Sequence, residues 1–489
     1  AVAAGSVILS AFGLNAGAAS SEPTVTSFAT KNQLMTVFDL DGSNDTVGLI
    51  YFGIMDYTDN RLCWYIAGKD NGISGDNVIL LVKDRVSLID TPYYYSRIPF
   101  LDMREDGISK DETNFTSEEQ ALMNTTRIDS SKDKLLYSLK GTYGGNAIYA
   151  GTNNNVKVDL TSYPTTEFWL RTEFDSDYAL CVRSHGTTVD KAKKDTELSM
   201  RMAVDINLTN VLFASSARTD PSAVKYEKTN ASTGMILRLN GSSKKIGTVK
   251  YYDVNGYQGV AAYKDKDASG AVSLVIQGNN GTDDWYYSVP VNDYAGVRVE
   301  EIESALGISG VSLDKCKIWL ETTIGKVAYA TSFASEVQSL TDINTVAFNI
   351  DAPVGGSALD TVAEVNRNVT TDLTYDILSD ISWSPSDTNA YYNTAYTASV
   401  KVTPRVGYSF SSSTVARVNS NSSNNGTVTK NSDGTLTVKY TFGKTAYGNP
   451  QASDFTFTPP SNLVYNGSAK TATVTSSARG MGAVTAVKY

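Results

Sequence analysis

The sequence predicts a multidomain, mainly β protein, an α+β domain followed by β-sandwich domains of immunoglobulin-like pattern. Three observations carry this. The chain has 489 residues, enough for about three or four domains of ordinary size. Its apolar residues fall in short runs of strand length, broken by Gly, Asn and Asp turn signals. It is rich in Tyr (29) and Gly (37) while only 19% of its residues are charged, a balance suited to extracellular β proteins.

Composition also removes several function classes. Lys and Arg total 42 against 52 Asp and Glu, a formal net charge of -10, so neither nucleic acid nor an anionic membrane surface is an expected partner. One histidine leaves nothing for His-ligated metal centres or His-carried triads. Three cysteines without a close pair give neither a disulfide framework nor a zinc ribbon. The expectation is a protein that is not an enzyme and holds no cofactor or metal.

Residues 1–19 read AVAAGSVILSAFGLNAGAA. An apolar stretch at 7–14, followed by small residues that include Ala16, Gly17 and Ala18, looks like the back half of a secretory signal. No later segment approaches the ~20 apolar residues of a membrane span. Residues 20–217 predict the α+β domain, with strands at 47–52, 63–67 and 78–82. In TSEEQALMNTT, Thr116 and Glu119 stand at capping-box spacing and Ala121 and Leu122 share an apolar face, so a helix is expected. Strands follow at 168–172 (FWLRT), 178–182 (YALCV) and 201–208 (RMAVDINL).

The polar passage 215–228, with Asp220 before Pro221, reads as a linker. Residues 222–335 predict a β-sandwich with strands at 235–239, 249–252, 272–277, 285–289 and 317–321. One helix interrupts it at 299–306, with Gly307 as its C-terminal cap. Residues 341–443 predict an immunoglobulin-like sandwich. Alternation at 396–402 and 436–440 marks strands, Asp433-Gly434 marks a hairpin turn, and the Ser/Asn-rich stretch 419–425 marks an exposed loop. Residues 446–489 are too short to bury a core of their own. They read as a partial immunoglobulin-like repeat, either truncated or completed at its open edge by another chain; truncation is the expectation.

Several strings together are similar to one uncharacterised family of secreted and cell-wall proteins of Gram-positive gut bacteria. They are YFGIM at 51–55, CWYIAG at 63–68, NFTSEEQALM at 114–123, FWLRT, a hairpin with Gly186, and RMAVDINL. NGTDDWYYS at 280–288 and CKIWLETT at 316–323 resemble a domain that often follows it. APVGG, WSP and YTASV resemble a repeated sandwich module of large surface proteins, and YNGSAKTATVT resembles the opening of a bacterial immunoglobulin-like repeat. The first domain's strand motifs also resemble the C-type-lectin-like fold of the formylglycine-generating enzyme. What the resemblance implies is a modular protein outside the cell or on the cell-wall surface. No activity and no catalytic residue come with it.

Candidate site residues follow from chemistry. Tyr93, Tyr94 and Tyr95, after Thr91-Pro92, form an aromatic cluster in an expected loop, and exposed rings can stack on sugars. Core packing of these rings is the competing reading. Trp285, Tyr286 and Tyr287 alternate along a strand, so at least one is expected to face solvent. His185, in RSHGT, lacks a nucleophile motif beside it and is expected to be a turn residue. Cys63 and Cys181 have apolar neighbours and are expected to be buried free thiols; the enzyme resemblance would make them a copper or redox pair, and a disulfide needs Cα atoms within about 7 Å. Cys316 is expected to be a small buried hydrophobe. The string from Asp39 to Asp45 alternates acidic residues around Gly42 but lacks the spacing of an EF-hand, so a solvated turn is expected. No carboxylate pair for glycoside hydrolysis stands out.

The functional expectation is an adhesin-like protein: a ligand-binding head, for a glycan or a protein, on a β-sandwich stalk. Binding is placed on head loops, around Tyr93, Tyr94 and Tyr95 and the polar stretch 141–155. The alternative is a structural subunit of a surface layer or filament, self-associated by strand pairing between chains.

Overall fold

The computed structural model describes residues 24–25, 27–43, 46–54, 61–83, 108–110, 112–129, 132–145, 147–160, 167–183, 188–218, 220–228, 234–254, 256–372, 374–449, 451–476 and 484, and structural statements below concern these. The expected signal segment 1–19 lies outside them. The protein is mainly β, with many sheets, and divides into two compact units.

The first unit comprises residues 1–249, 262–295 and 302–334. Its strands include β1 (Leu49–Ile54), β2 (Arg61–Gly68) and β3 (Asn77–Val82), then, after helix α1 (Ser117–Leu122), β4 (Leu136–Ser138). Next come β5 (Phe168–Glu173), β6 (Tyr178–Val182), β7 (Val189–Lys193) and β8 (Met202–Asn207). Further along are β9 (Lys225–Lys228), β10 (Met235–Asn240), β11 (Val272–Asn279), β12 (Asp284–Val291), β13 (Lys317–Ile324) and β14 (Val327–Ala330). Most of these lie in one large sheet in the order β4-β8-β3-β2-β1-β10-β14-β13-β11-β12-β9. Along this path β10 alone is parallel to its neighbours, with Met235 opposite Ile50 and Arg238 opposite Ala328. Strands from the blocks 20–217 and 222–335 therefore share this sheet, joined where β1 meets β10.

A second sheet, β7-β6-β5 with Ser199–Met200 at its edge, faces part of the first. Phe168, Leu170, Leu180, Val182 and Val189 from it interleave with Leu49, Tyr65, Ile79, Leu81 and Ala203 of the large sheet. The continuous run NVILLV of β3 is buried at all six positions, as expected of a strand covered on both faces. The sandwich forms because alternate residues of β5 and β6, Phe168, Leu170, Leu180 and Val182, turn apolar side chains into this shared core.

Helix α1 has the expected capping box: Thr116 Oγ1 accepts from Glu119 N at 3.2 Å, and Thr116 N donates to Glu119 Oε2 at 3.0 Å. It ends after six residues because Met123 turns extended (ψ 128°) and pairs with β8. Leu122 is buried but Ala121 is exposed, so the expected apolar face is narrower, and Glu119 takes the inner position by accepting Gly53 N at 3.1 Å. Helix α2 (Val299–Leu306) ends at Gly307, whose φ of 64° is the left-handed turn that favours glycine.

One expectation is overturned at β12. Trp285, Tyr286 and Tyr287 are all buried, at 1%, 2% and 7% exposure, so none of the three faces solvent. Alternation exposes a ring only where one face of the sheet is bare, and here both are covered. Trp285 lies over Gly278, where a Cβ would stand 2.3 Å from its ring. Tyr286 joins a core with Phe213 and Trp319, and Tyr226 of β9 stacks on Tyr287 at 5.8 Å.

The second unit comprises residues 250–261, 296–301 and 335–489. Among its strands are β15 (Thr341–Asn349), β16 (Thr397–Pro404), β17 (Tyr408–Val418) and β18 (Leu436–Thr441), followed by β19 (Phe455–Thr458) and β20 (Thr473–Ser476). β15 pairs in parallel with β17, and β16 pairs antiparallel with β18. Val346, Phe348, Phe410 and Val418 from the first pair pack with Val400, Val402, Leu436 and Val438 from the second, which makes a two-sheet sandwich. Asp433-Gly434 turns the hairpin into β18, with Gly434 at φ 79°. The loop 419–425 is mostly exposed, as expected. β19 and β20 form an isolated hairpin, near which Phe457, Leu463, Val464 and Tyr465 are 63%, 76%, 73% and 89% exposed. Among the described residues no helix is long and apolar enough to cross a membrane.

Candidate ligand platform

The first unit carries an aromatic cluster at the end of its smaller sheet. Two turns build it. The β5–β6 turn is closed by Phe174 N and Asp175 N, which donate to Tyr178 O at 3.0 and 3.1 Å. Asp175 Oδ1 accepts from the backbone N–H groups of Asp177 and Tyr178, both at 2.8 Å. These backbone donors, the Asp177 N–H foremost, hold the Asp175 carboxyl below its ordinary range. The second turn, residues 142–145, is tied to β7 by Gly144 N to Val189 O and Val189 N to Gly145 O, each at 3.0 Å. Gly141 brings this segment in close, since a Cβ there would stand 2.5 Å from Leu170.

These turns bring Tyr143 and Phe174 together at 4.9 Å between ring centroids, tilted by 54°. Both are exposed, 49% and 41%. Lys191 of β7 supplies the third component. It stands opposite Leu180, with Val189 two residues before it, so its stem leaves the core-facing side of the sheet where the apolar interior reaches its rim. Its Nζ lies 4.1 Å from the Phe174 centroid, 5.0 Å from Tyr178 and 5.6 Å from Tyr143. An ammonium among three ring faces is attracted to each ring's quadrupole, which fixes rings and cation in one arrangement. The neighbouring charges are committed elsewhere. Asp190 and Glu167 pair with Arg183 at 3.1 and 3.5 Å, and Glu173 pairs with Lys194 at 3.5 Å.

Other features of this unit are less suited to recognition. A groove of about 460 Å3 runs beside Ser242, Lys245, Thr248, Tyr263, Lys264 and Ser332, polar but without an exposed ring pair. A small hollow of about 20 Å3 lies among Phe52, Arg61, Glu119 and Leu237, room for one water. Deep in the core, Asp70 and Asp205 are both 0% exposed. Asp70 accepts from Gly72 N, Thr152 N and Asn155 Nδ2 at 2.7, 2.6 and 2.9 Å. Asp205 accepts from Asn124 Nδ2 at 2.9 Å, and its Oδ2 has no partner among the described hydrogen bonds. Burial first, then the nearby Asp70 carboxyl, pushes Asp205 up to about 8.

The sequence-derived candidates fall as follows. Tyr93, Tyr94, Tyr95 and His185 lie outside the described residues. The stretch 141–155 contributes Tyr143. Cys63, Cys181 and Cys316 are free thiols. Cys181 is fully buried and its thiol is pushed up to about 11; Cys316 is pushed up to about 12, in both cases chiefly by burial. In the string from Asp39, Ser43 N donates to Asp41 Oδ1 at 2.8 Å, the closure of an acidic turn. Among the described residues no group of three or more His, Cys, Asp or Glu is placed to hold a metal. Phe174, Tyr178 and Lys191 were missed by sequence reasoning, because each belongs to ordinary strand or turn text and only the fold brings them together. The weak signal was the pair of aromatics bracketing the Asp-Ser-Asp turn. Compared with known proteins, the chain matches no family model, and no curated protein or solved structure is significantly similar to it.

Proposed function

We propose that the chain is a non-enzymatic, modular protein of the bacterial exterior, secreted or held at a Gram-positive cell wall. Its first unit serves as a glycan-binding head, and its second unit as stalk. In this reading the first unit contains a C-type-lectin-like domain and the second an immunoglobulin-like sandwich. The observation that carries the binding role is the exposed pair Tyr143 and Phe174, pinned by Lys191. Pyranose rings present C–H faces that stack on such rings, and rigid rings lose little conformational freedom on binding. The test is an oligosaccharide array probed with the whole chain and with a Tyr143→Ala/Phe174→Ala variant. Binding should fall at least tenfold in the variant; an array with no hit would overturn the reading.

A second reading, a structural subunit assembled by strand pairing, rests on the hairpin of β19 and β20, whose neighbourhood leaves Phe457, Leu463, Val464 and Tyr465 uncovered. Exposed apolar strand edges pair with other chains. Sedimentation at rising concentration tests it: self-association abolished by Phe457→Lys supports it, and a monomer throughout removes it.

A further inference from the structure

We infer that the platform of Tyr143, Phe174 and Lys191 selects a sugar bearing a carboxylate, so that the ligand class is acidic glycan. This rests on the glycan-binding reading and adds to it the charge of the ligand.

A surface ammonium ordinarily has water or a carboxylate beside it. Lys191 Nζ has neither an ion pair nor a hydrogen bond to any described residue, whereas Arg183 and Lys194 on the same small sheet are both paired. Asp175 and Asp190 feel its charge, yet Asp175 accepts two backbone N–H groups and Asp190 pairs with Arg183 and accepts Lys191 N. Among the described residues the ammonium is therefore held by ring faces, at 4.1 to 5.6 Å. Ring faces attract a cation without neutralising it and remove part of its water. A positive charge held this way is positioned for an incoming anion, because its side-chain freedom is already spent and its solvation already reduced.

The geometry limits what that anion belongs to. The two exposed rings beside the ammonium offer a C–H stacking surface about one sugar wide, while Tyr178 is half-buried and closes the inner side. A ligand that uses both parts must hold a flat apolar face and an anionic group one ring-length apart. A pyranose with a carboxylate on its ring, as in uronic and sialic acids, has that layout. A flexible acidic peptide has the charge without the stacking face. A neutral sugar has the face without the charge.

Titration of the whole chain decides this, with trigalacturonate against its methyl ester, and sialyllactose against lactose. The acidic member of each pair should bind at least tenfold tighter, with an advantage that shrinks as salt rises. Lys191→Met should bring the acidic ligands down to the level of the neutral ones, and Lys191→Arg should retain most of the preference. Tyr143→Ala/Phe174→Ala should weaken both members. Circular dichroism checks that each variant is folded. Equal binding of acidic and neutral sugars, lost in the double-ring variant, would overturn this inference and leave the glycan reading standing. A preference for acidic sugars unchanged in Lys191→Met would also overturn it, as would equal binding of a hexaglutamate peptide. Binding of no sugar at all would overturn the glycan reading and this inference with it.

Discussion

Arg238 Nε donates to Glu321 Oε2 at 2.9 Å, and the two side chains are 0% and 3% exposed. The pair reaches across β14, the strand between β10 and β13. It fits because β14 puts Ala328 opposite Arg238 and Ala330 opposite Glu321, leaving the space above the strand free for the guanidinium. The other donors are satisfied as well. Nη1 donates to Ser215 O and Ile236 O at 2.9 and 2.8 Å, and Nη2 donates to Ala217 O. Trp319 Nε1 adds a hydrogen bond to Glu321 Oε2 at 2.9 Å.

Removing one partner would leave a buried charge without its counter-ion. Glu321→Ala should lower the stability of the first unit by about 3–5 kcal/mol, read from urea unfolding followed by tryptophan fluorescence. The double change Arg238→Met/Glu321→Leu should cost less than Glu321→Ala alone, since it removes both charges together. A loss under about 1 kcal/mol in Glu321→Ala would contradict the account.

Asp205 predicts a pH dependence of opposite sign to that of a salt-bridged carboxylate. Its folded pKa, about 8, lies above the value of about 3.9 in the unfolded chain. The folded state then keeps a proton that the unfolded state releases. The contribution to stability is full below about pH 4, falls as pH rises towards 8, and levels off above that. Asn124 Nδ2 and the Asp70 carboxyl face it, and Tyr137 lies near, its phenol pushed up first by burial and then by the Asp205 charge. Asp205→Asn removes the ionisation while keeping the shape. Its stability relative to the parent should rise by several kcal/mol between pH 4 and pH 8, measured by denaturant titration at each pH. A constant difference across that range would mean Asp205 is already ionised at neutral pH.

Much of the local structure was legible in the sequence because local chemistry decided it. The capping box at Thr116, the glycine cap at Gly307 and the Asp433-Gly434 turn all stand where side-chain and backbone requirements put them. What the sequence did not disclose was non-local. The polar text near 215–228 has linker composition, yet Ser215 is buried and receives Arg238 through its carbonyl. The strands beyond it join the same sheet through a parallel pairing at β10 that no periodicity announces. Trp285, Tyr286 and Tyr287 alternate as a one-sided strand should, but Gly278 and Tyr226 of the neighbouring strands take up the rings of Trp285 and Tyr287, and Phe213 with Trp319 encloses Tyr286 on the other side. The platform was out of reach for the same reason. Tyr143, Phe174 and Lys191 are separated in sequence and meet only because the 142–145 turn lies along β7.

The thiols predict a chemical phenotype. Burial pushes Cys181 up to about 11 and Cys316 up to about 12, so almost no thiolate exists at either site near neutral pH. Iodoacetamide applied to the folded chain at pH 7.5 should leave both unmodified, while urea should expose all three cysteines to reaction. Peptide mass spectrometry reads the sites directly. Rapid native alkylation of Cys181 would show that its strand opens far more readily than its buried position implies.

In the second unit, Tyr375 ties the two sheets of the sandwich together. Its hydroxyl accepts from Ala347 N and donates to Ala347 O, both at 2.8 Å, with Tyr375 at 1% exposure and Ala347 at 0%. Asn366 N also donates to Ala347 O at 2.9 Å, so removal of the hydroxyl leaves that carbonyl served and the Ala347 N–H bare. An unpaired buried N–H costs about 1–3 kcal/mol. Tyr375→Phe should therefore destabilise the sandwich by that amount while keeping its packing. Amide hydrogen exchange separates the hydrogen bond from a general loosening. Ala347 should lose protection by more than its neighbours Val346 and Phe348 on β15, whereas an equal loss along the strand would assign the role of Tyr375 to packing instead.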